Sequence, residues 1–135
     1  MQIVYQLKND SQRIALIQKA TLTTEKFGLE PTHGLFGGAV WWANLVSGKL
    51  RIHTLRGTIE RVYMGSMNDW PECTVVADDG SRSDWTREGH SPSMDRFYRV
   101  GAKIEIDYVE QQSRLTGWGA GAMDKNVVEI RIEAL

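Results

Sequence analysis

The sequence predicts an α+β chain: an N-terminal strand and helix packed on a small, strongly curled antiparallel sheet. Three observations predict it. One helix-period pattern lies near the N-terminus, period-two patterns run from Leu50 to the C-terminus, and turn residues punctuate both. The chain has 135 residues, 41% of them hydrophobic and 24% charged, which suits a single domain over residues 1–135. We divide it into an N-terminal part, 1–48, and a sheet-forming part, 49–135. A core of this size buries roughly two thirds of the unfolded chain's surface, so no metal or disulfide staple is required.

Ile3, Tyr5 and Leu7 alternate with polar neighbours and open the chain as a short strand. Asn9, Asp10 and Ser11 then supply capping side chains ahead of Ile14, Ala15, Leu16, Ile17, Ala20 and Phe27. A helix is expected from about 11 to 27, stopped at Gly28, although Thr21, Thr23 and Thr24 weaken its last turns. Pro31 to Gly38 is a loop with glycine at three of eight positions. The apolar run Ala39 to Val46 fits a short helix or a buried strand, and its Gly48-Lys49 ending favours the helix.

Strands follow. Leu50 to Met64 is long enough for two strands or for one strand bent at Gly57. Glu72 to Ala77 and Ser81 to Thr86 flank Asp78-Asp79-Gly80, a strong hairpin signal. Ser91 caps a brief helical turn begun by Pro92. Ala102 to Val109 and Val127 to Glu133 alternate apolar and charged residues and read as the last two strands.

From Leu50 this succession is similar to the five-stranded barrel of the OB fold, over about residues 50–134. The resemblance is one of topology, without a family motif, and offers a closed OB-like barrel as the alternative to the curled sheet. It implies where binding would occur: the face of strands two and three and the loops joining strands one to two and four to five. Those loops would be Gly65 to Pro71 and Gln111 to Asn126.

The unusual residues fall there. Trp70, Trp85 and Trp118, with Arg82, Arg87 and His90 nearby, form an aromatic and basic set able to stack on a small planar ligand, a peptide or bases. The competing reading makes Trp70 and Trp85 hydrophobic plugs. Trp41 and Trp42 are adjacent and cannot share one face, so either one enters the core and the other is a candidate contact for a partner or a second copy of the chain, or both are buried between the N-terminal segment and the sheet-forming part.

Charge is divided unevenly. Residues 1–67 carry eight Lys/Arg and four Asp/Glu, and residues 68–135 carry eight and thirteen, or +4 against −5. The overall charge of −1 and pI near 6.3 disfavour nucleic acid as a partner. No stretch reads as a membrane span or secretory signal, and one unpaired thiol, Cys73, favours a reducing compartment such as the cytoplasm.

Signatures of chemistry are sparse. His33, His53 and His90 lack metal-ligand spacing, and neither a metal nor a cofactor is expected. Cys73 lies in an apolar strand pattern as an inert thiol, and no nucleophile elbow or phosphate-binding loop is present. The resulting expectation is a non-enzymatic, self-associating binding module, a homo-oligomer with an aromatic loop mouth for a small ligand, peptide or nucleic acid. The alternative is a hydrolase-like enzyme using Asp69, Glu72, Asp84 and Glu88 with His90.

Overall fold

The computed structural model describes residues 1–23, 28–29, 31–112 and 123–135, apart from the side chain of Ser66. Its elements are β1 (Gln2–Gln6), α1 (Ser11–Thr23), α2 (Ala39–Ser47), β2 (His53–Met64), β3 (Pro71–Ala77), β4 (Arg82–Thr86), β5 (Lys103–Gln112) and β6 (Met123–Ile132). Short 3₁₀ turns cover Leu7–Asn9, Ser66–Asn68 and Pro92–Phe97. The strands form one antiparallel sheet in the order β1-β6-β5-β2-β3-β4. This is the curled-sheet α+β fold that the sequence predicts. The barrel alternative fails, because β1 and β4 remain edges and β1 adds a sixth strand that the barrel reading left out. Among the described residues no helix is long and apolar enough to cross a membrane.

Packing divides the chain into two compact units. The first comprises Met1–Gln6, Thr54–Asp107 and Glu129–Leu135. Its core takes one side of each strand: Val4, Ile59, Cys73, Val75, Trp85, Ile104, Ile106, Ile130 and Ile132 are buried, as are Phe97 and Tyr98 from the 3₁₀ turn and its exit. The opposite side is polar, as period-two alternation requires. There Arg131 donates to Glu105, Asp107 and Glu129, Arg56 also binds Glu105, and Thr54 donates to Asp107. At Gly57 the β2–β3 register is regular. A Cβ there would sit 2.3 Å from the Val76 carbonyl oxygen, so glycine is required by the close approach of β3, and the register shifts further on, between Ile59 and Arg61.

The second unit comprises Leu7–His53 and Tyr108–Val128. Asp10 caps α1 by accepting the Arg13 N–H at 3.1 Å. Near the other end, the Thr21 hydroxyl donates to the Ile17 carbonyl and accepts the Leu29 N–H, and Gly28, at φ +90°, packs where any Cβ would meet Thr21. Residues 24–27 of the expected helix lie outside the described residues. The run containing Trp41 and Trp42 is a helix, closed by Gly48 in the left-handed conformation with its N–H on the Leu45 carbonyl. Trp41, Phe36, Leu45, Leu50 and Val109 are buried in this unit. The span expected as a loop from Gln111 to Asn126 is partly strand, since β5 runs to Gln112 and β6 begins at Met123.

Candidate functional site

Six residues, 65–70, connect β2 to β3. The hairpin is closed by the Gly65 N–H on the Trp70 carbonyl, and the Asn68 N–H returns to the Gly65 carbonyl. Met67 and Asn68 both adopt positive φ, 60° and 62°. Asn tolerates this conformation, but for Met it costs about 1–2 kcal/mol. Among the described residues the strained one is also the most exposed large apolar side chain, at 92%, and Trp70 and Met64 beside it are 56% and 41% exposed. A hairpin tip built for stability alone would place glycine at position 67 and polar residues around it.

Trp70 is held in place: its indole N–H donates to the Thr86 hydroxyl at 2.9 Å. The base of the hairpin is clamped by Arg87, whose side chain is only 9% exposed. Its Nε donates to the Glu72 carbonyl, one Nη to the Tyr63 carbonyl and the other to both oxygens of Asp95. The guanidinium thus ties β2, β3 and the 3₁₀ turn together with a fork that lysine lacks. Beside it lies a groove of about 560 Å³ between Met64, Pro71, Arg87, His90, Pro92 and Asp95. Apolar anchors on a clamped base, beside a groove of mixed apolar and polar lining, are what a protein–protein contact uses at its centre and rim.

The residues singled out in the sequence are distributed as follows. Trp70 is exposed on the tip, and Arg87 and His90 line the groove. Trp85 is buried, with its indole N–H on the Ser83 hydroxyl, and Arg82 lies on the exposed face paired with Glu60. Trp118 lies outside the described residues. Trp41 is wholly buried in the second unit, its Nε1–H on Gln111 Oε1 at 3.1 Å, while Trp42 is half-buried and stands edge-on to it. Met64 and Met67 were not singled out. Their signal was a methionine inside a polar turn sequence, Gly65-Ser66-Met67-Asn68-Asp69. Leu16, Leu22, Val40 and Val46 are also exposed on the helices, but exposed aliphatic side chains are ordinary on protein surfaces.

Chemistry is not assembled. Among the described residues no carboxylate hydrogen-bonds the His90 ring, and no three His, Cys, Asp or Glu side chains converge as metal ligands. Asp84 instead accepts the Thr74 hydroxyl on the open face of the sheet, and Asp69 is exposed on the hairpin. Burial pushes the Cys73 thiol up to about 12, the opposite of what a nucleophile needs.

A family model described as Immunity protein RhsI2 matches residues 1–133. No curated protein matches the chain. The match overturns both functional expectations drawn from composition. The self-associating module for a small ligand, peptide or nucleic acid gives way to a specific protein-binding role, and so does the hydrolase built on Asp69, Glu72, Asp84, Glu88 and His90. Aromatic richness without catalytic geometry fits recognition of a protein surface as readily as stacking on a base, and the match decides between them. The partner is therefore a protein, and the chain belongs to the immunity protein RhsI2 family.

Proposed function

We propose that this chain neutralises a toxin of the Rhs class by binding it, and that the β2–β3 hairpin tip supplies the anchor residues. The observation that supports this reading is the joint exposure of Met64, Met67 and Trp70 on one short hairpin, with Met67 held in a backbone conformation it does not favour. Trp is the residue type most enriched among interface hot spots, and Met adapts its shape to a partner's pocket. Strain kept at an exposed position stabilises nothing within the monomer, so a role outside it accounts for the residue best.

The test is co-expression with the Rhs toxin that the wild-type chain protects against, followed by titration of that purified toxin in inactivated form. Met67→Ser and Trp70→Ala are expected to abolish protection and to weaken binding. Trp70→Ala alone removes up to about 140 Å² of apolar contact, taking about 250 Å² for a whole tryptophan side chain and its 56% exposure. At about 25 cal/mol per Å² the ceiling is about 3.5 kcal/mol, or about two and a half orders of magnitude in Kd. Wild-type affinity in both variants would place the toxin contact elsewhere.

A further inference from the structure

The two edges of the sheet are not alike. On β1 the Val4 carbonyl accepts the His90 N–H at 3.0 Å, so at least one group of that edge is already engaged by the chain itself. On β4 the hydrogen-bond phase follows from the ends of the strand. The Ala77 N–H donates to the Ser81 carbonyl and the Arg87 N–H to the Pro71 carbonyl, and pairing between them is continuous from Glu72↔Thr86 to Val76↔Arg82. In an antiparallel ladder, alternate residues turn their backbone groups to the neighbour. Ser83 and Trp85 therefore face β3, while Arg82, Asp84 and Thr86 present their N–H and C=O groups outward. Only the Thr86 carbonyl is used, by the Glu88 N–H. The N–H and C=O of Arg82 and Asp84 and the N–H of Thr86 have no partner among the described residues.

Such an edge is a template for another strand. Its far end carries Thr86, the residue that holds the Trp70 indole, so the edge and the hairpin tip are continuous. Asp84, at its centre, is exposed and has no cationic partner among the described residues, whereas Arg82 is neutralised by Glu60. Residues 65–95 hold seven Asp/Glu against two Arg, a net −5. Resting on the toxin-binding reading above, we propose that the toxin extends the sheet by laying a strand along β4, with a basic side chain opposite Asp84 and its end against Trp70.

Amide hydrogen exchange of the full chain, free and saturated with the inactivated Rhs toxin, tests this. The amides of Arg82, Asp84 and Thr86 are expected to exchange fast in the free chain and to become protected in the complex, while Ser83 and Trp85 are protected in both. Asp84→Pro removes an outward N–H, and proline is tolerated at such edge positions. It should raise Kd by about tenfold or more, the equivalent of one hydrogen bond. Asp84→Asn should lower affinity and flatten its salt dependence. If Met67→Ser and Trp70→Ala abolish binding but the three β4 amides stay fast in the saturated complex, strand addition is overturned and the hairpin reading stands. If neither the hairpin variants nor the β4 amides respond, both fail. Should Asp84→Pro prove unstable, the exchange pattern of the wild-type chain decides alone.

Discussion

Replacing Arg87 with alanine removes the clamp at the base of the β2–β3 hairpin. Two of its hydrogen bonds go to the backbone carbonyls of Glu72 and Tyr63, at 3.1 and 3.2 Å. A hydrogen bond to a charged group contributes about 1.5–3 kcal/mol. The bidentate pair with Asp95 adds less, about 0.5 kcal/mol, because that carboxylate is 57% exposed. Alanine also opens the neighbouring groove to water, which returns a partner to the carbonyls and offsets part of the loss. The net destabilisation is therefore expected at about 2–3 kcal/mol, lowering the urea midpoint by about 1–2 M. Arg87→Lys should recover under half of it, since an ammonium can reach Asp95 or one carbonyl but not all three partners. The assay is equilibrium urea denaturation followed by tryptophan fluorescence. A loss below about 0.5 kcal/mol in Arg87→Ala, or full rescue by lysine, would refute the clamp and make Arg87 a surface charge. Because the same side chain fixes the hairpin's base, the toxin-binding role proposed above predicts that Arg87→Ala weakens binding more than its stability loss alone accounts for.

Two further outcomes follow from the ionisable groups. The Arg131 guanidinium holds Glu105 below its usual range; at Asp107 burial acts to raise the carboxyl, but hydrogen bonds from Arg131 and Thr54 prevail and lower it. Both carboxylates therefore contribute stability that is present above their unfolded range near pH 4 and is lost as pH falls through their lower folded values. Arg131→Met should cost about 1–2 kcal/mol at pH 7 and flatten that acid limb; an unchanged acid limb in denaturation measured from pH 7 to pH 2 would show that the network is not coupled to folding. Cys73 behaves in the opposite sense, its burial keeping the thiol protonated up to about 12 against 9.0 for a free one. Its contribution is complete below pH 9 and is lost as pH rises toward the folded value, and a thiol reagent at neutral pH should label Cys73 only as fast as the chain unfolds, so prompt labelling of the native chain would contradict its burial.

The sequence by itself determined the local elements. Asp10 and Gly48 marked helix ends because capping is a contact between near neighbours in the chain, and the Asp78-Asp79-Gly80 turn set the β3–β4 hairpin for the same reason. Alternation in Ala102 to Val109 and Val127 to Glu133 marked Ile104, Ile106, Ile130 and Ile132 as inward-facing, because side-chain period is a property of the strand alone, but it missed the change of phase after Asp107, where Val109 and Gln111 are buried in place of Tyr108. Of the set Trp70, Arg82, Trp85, Arg87, His90 and Trp118 picked out in the sequence, Arg87 and His90 line one groove and Trp70 bonds to Thr86, because these residues flank the β3–β4 pair in sequence as well as in space.

Only the tertiary structure decided the rest, and each case turns on a non-local pairing. Alternation cannot say which strands are neighbours, so the open order with β1 beside β6, rather than a closed barrel, was invisible until the pairing was known. Gly57 reads as a strand bend in sequence, and only the pairing shows that glycine is required by the approach of the Val76 carbonyl nineteen residues away. Trp85 and Trp70 share the same Asp-Trp context, yet one is buried under the sheet and the other exposed on the tip, because strand phase places one inward and a turn carries the other out. Met67 showed in the sequence only as a methionine within a polar turn; its left-handed conformation is defined by the hairpin that closes around it. Partner specificity rests on such surfaces, where exposure is fixed by what the rest of the chain fails to cover.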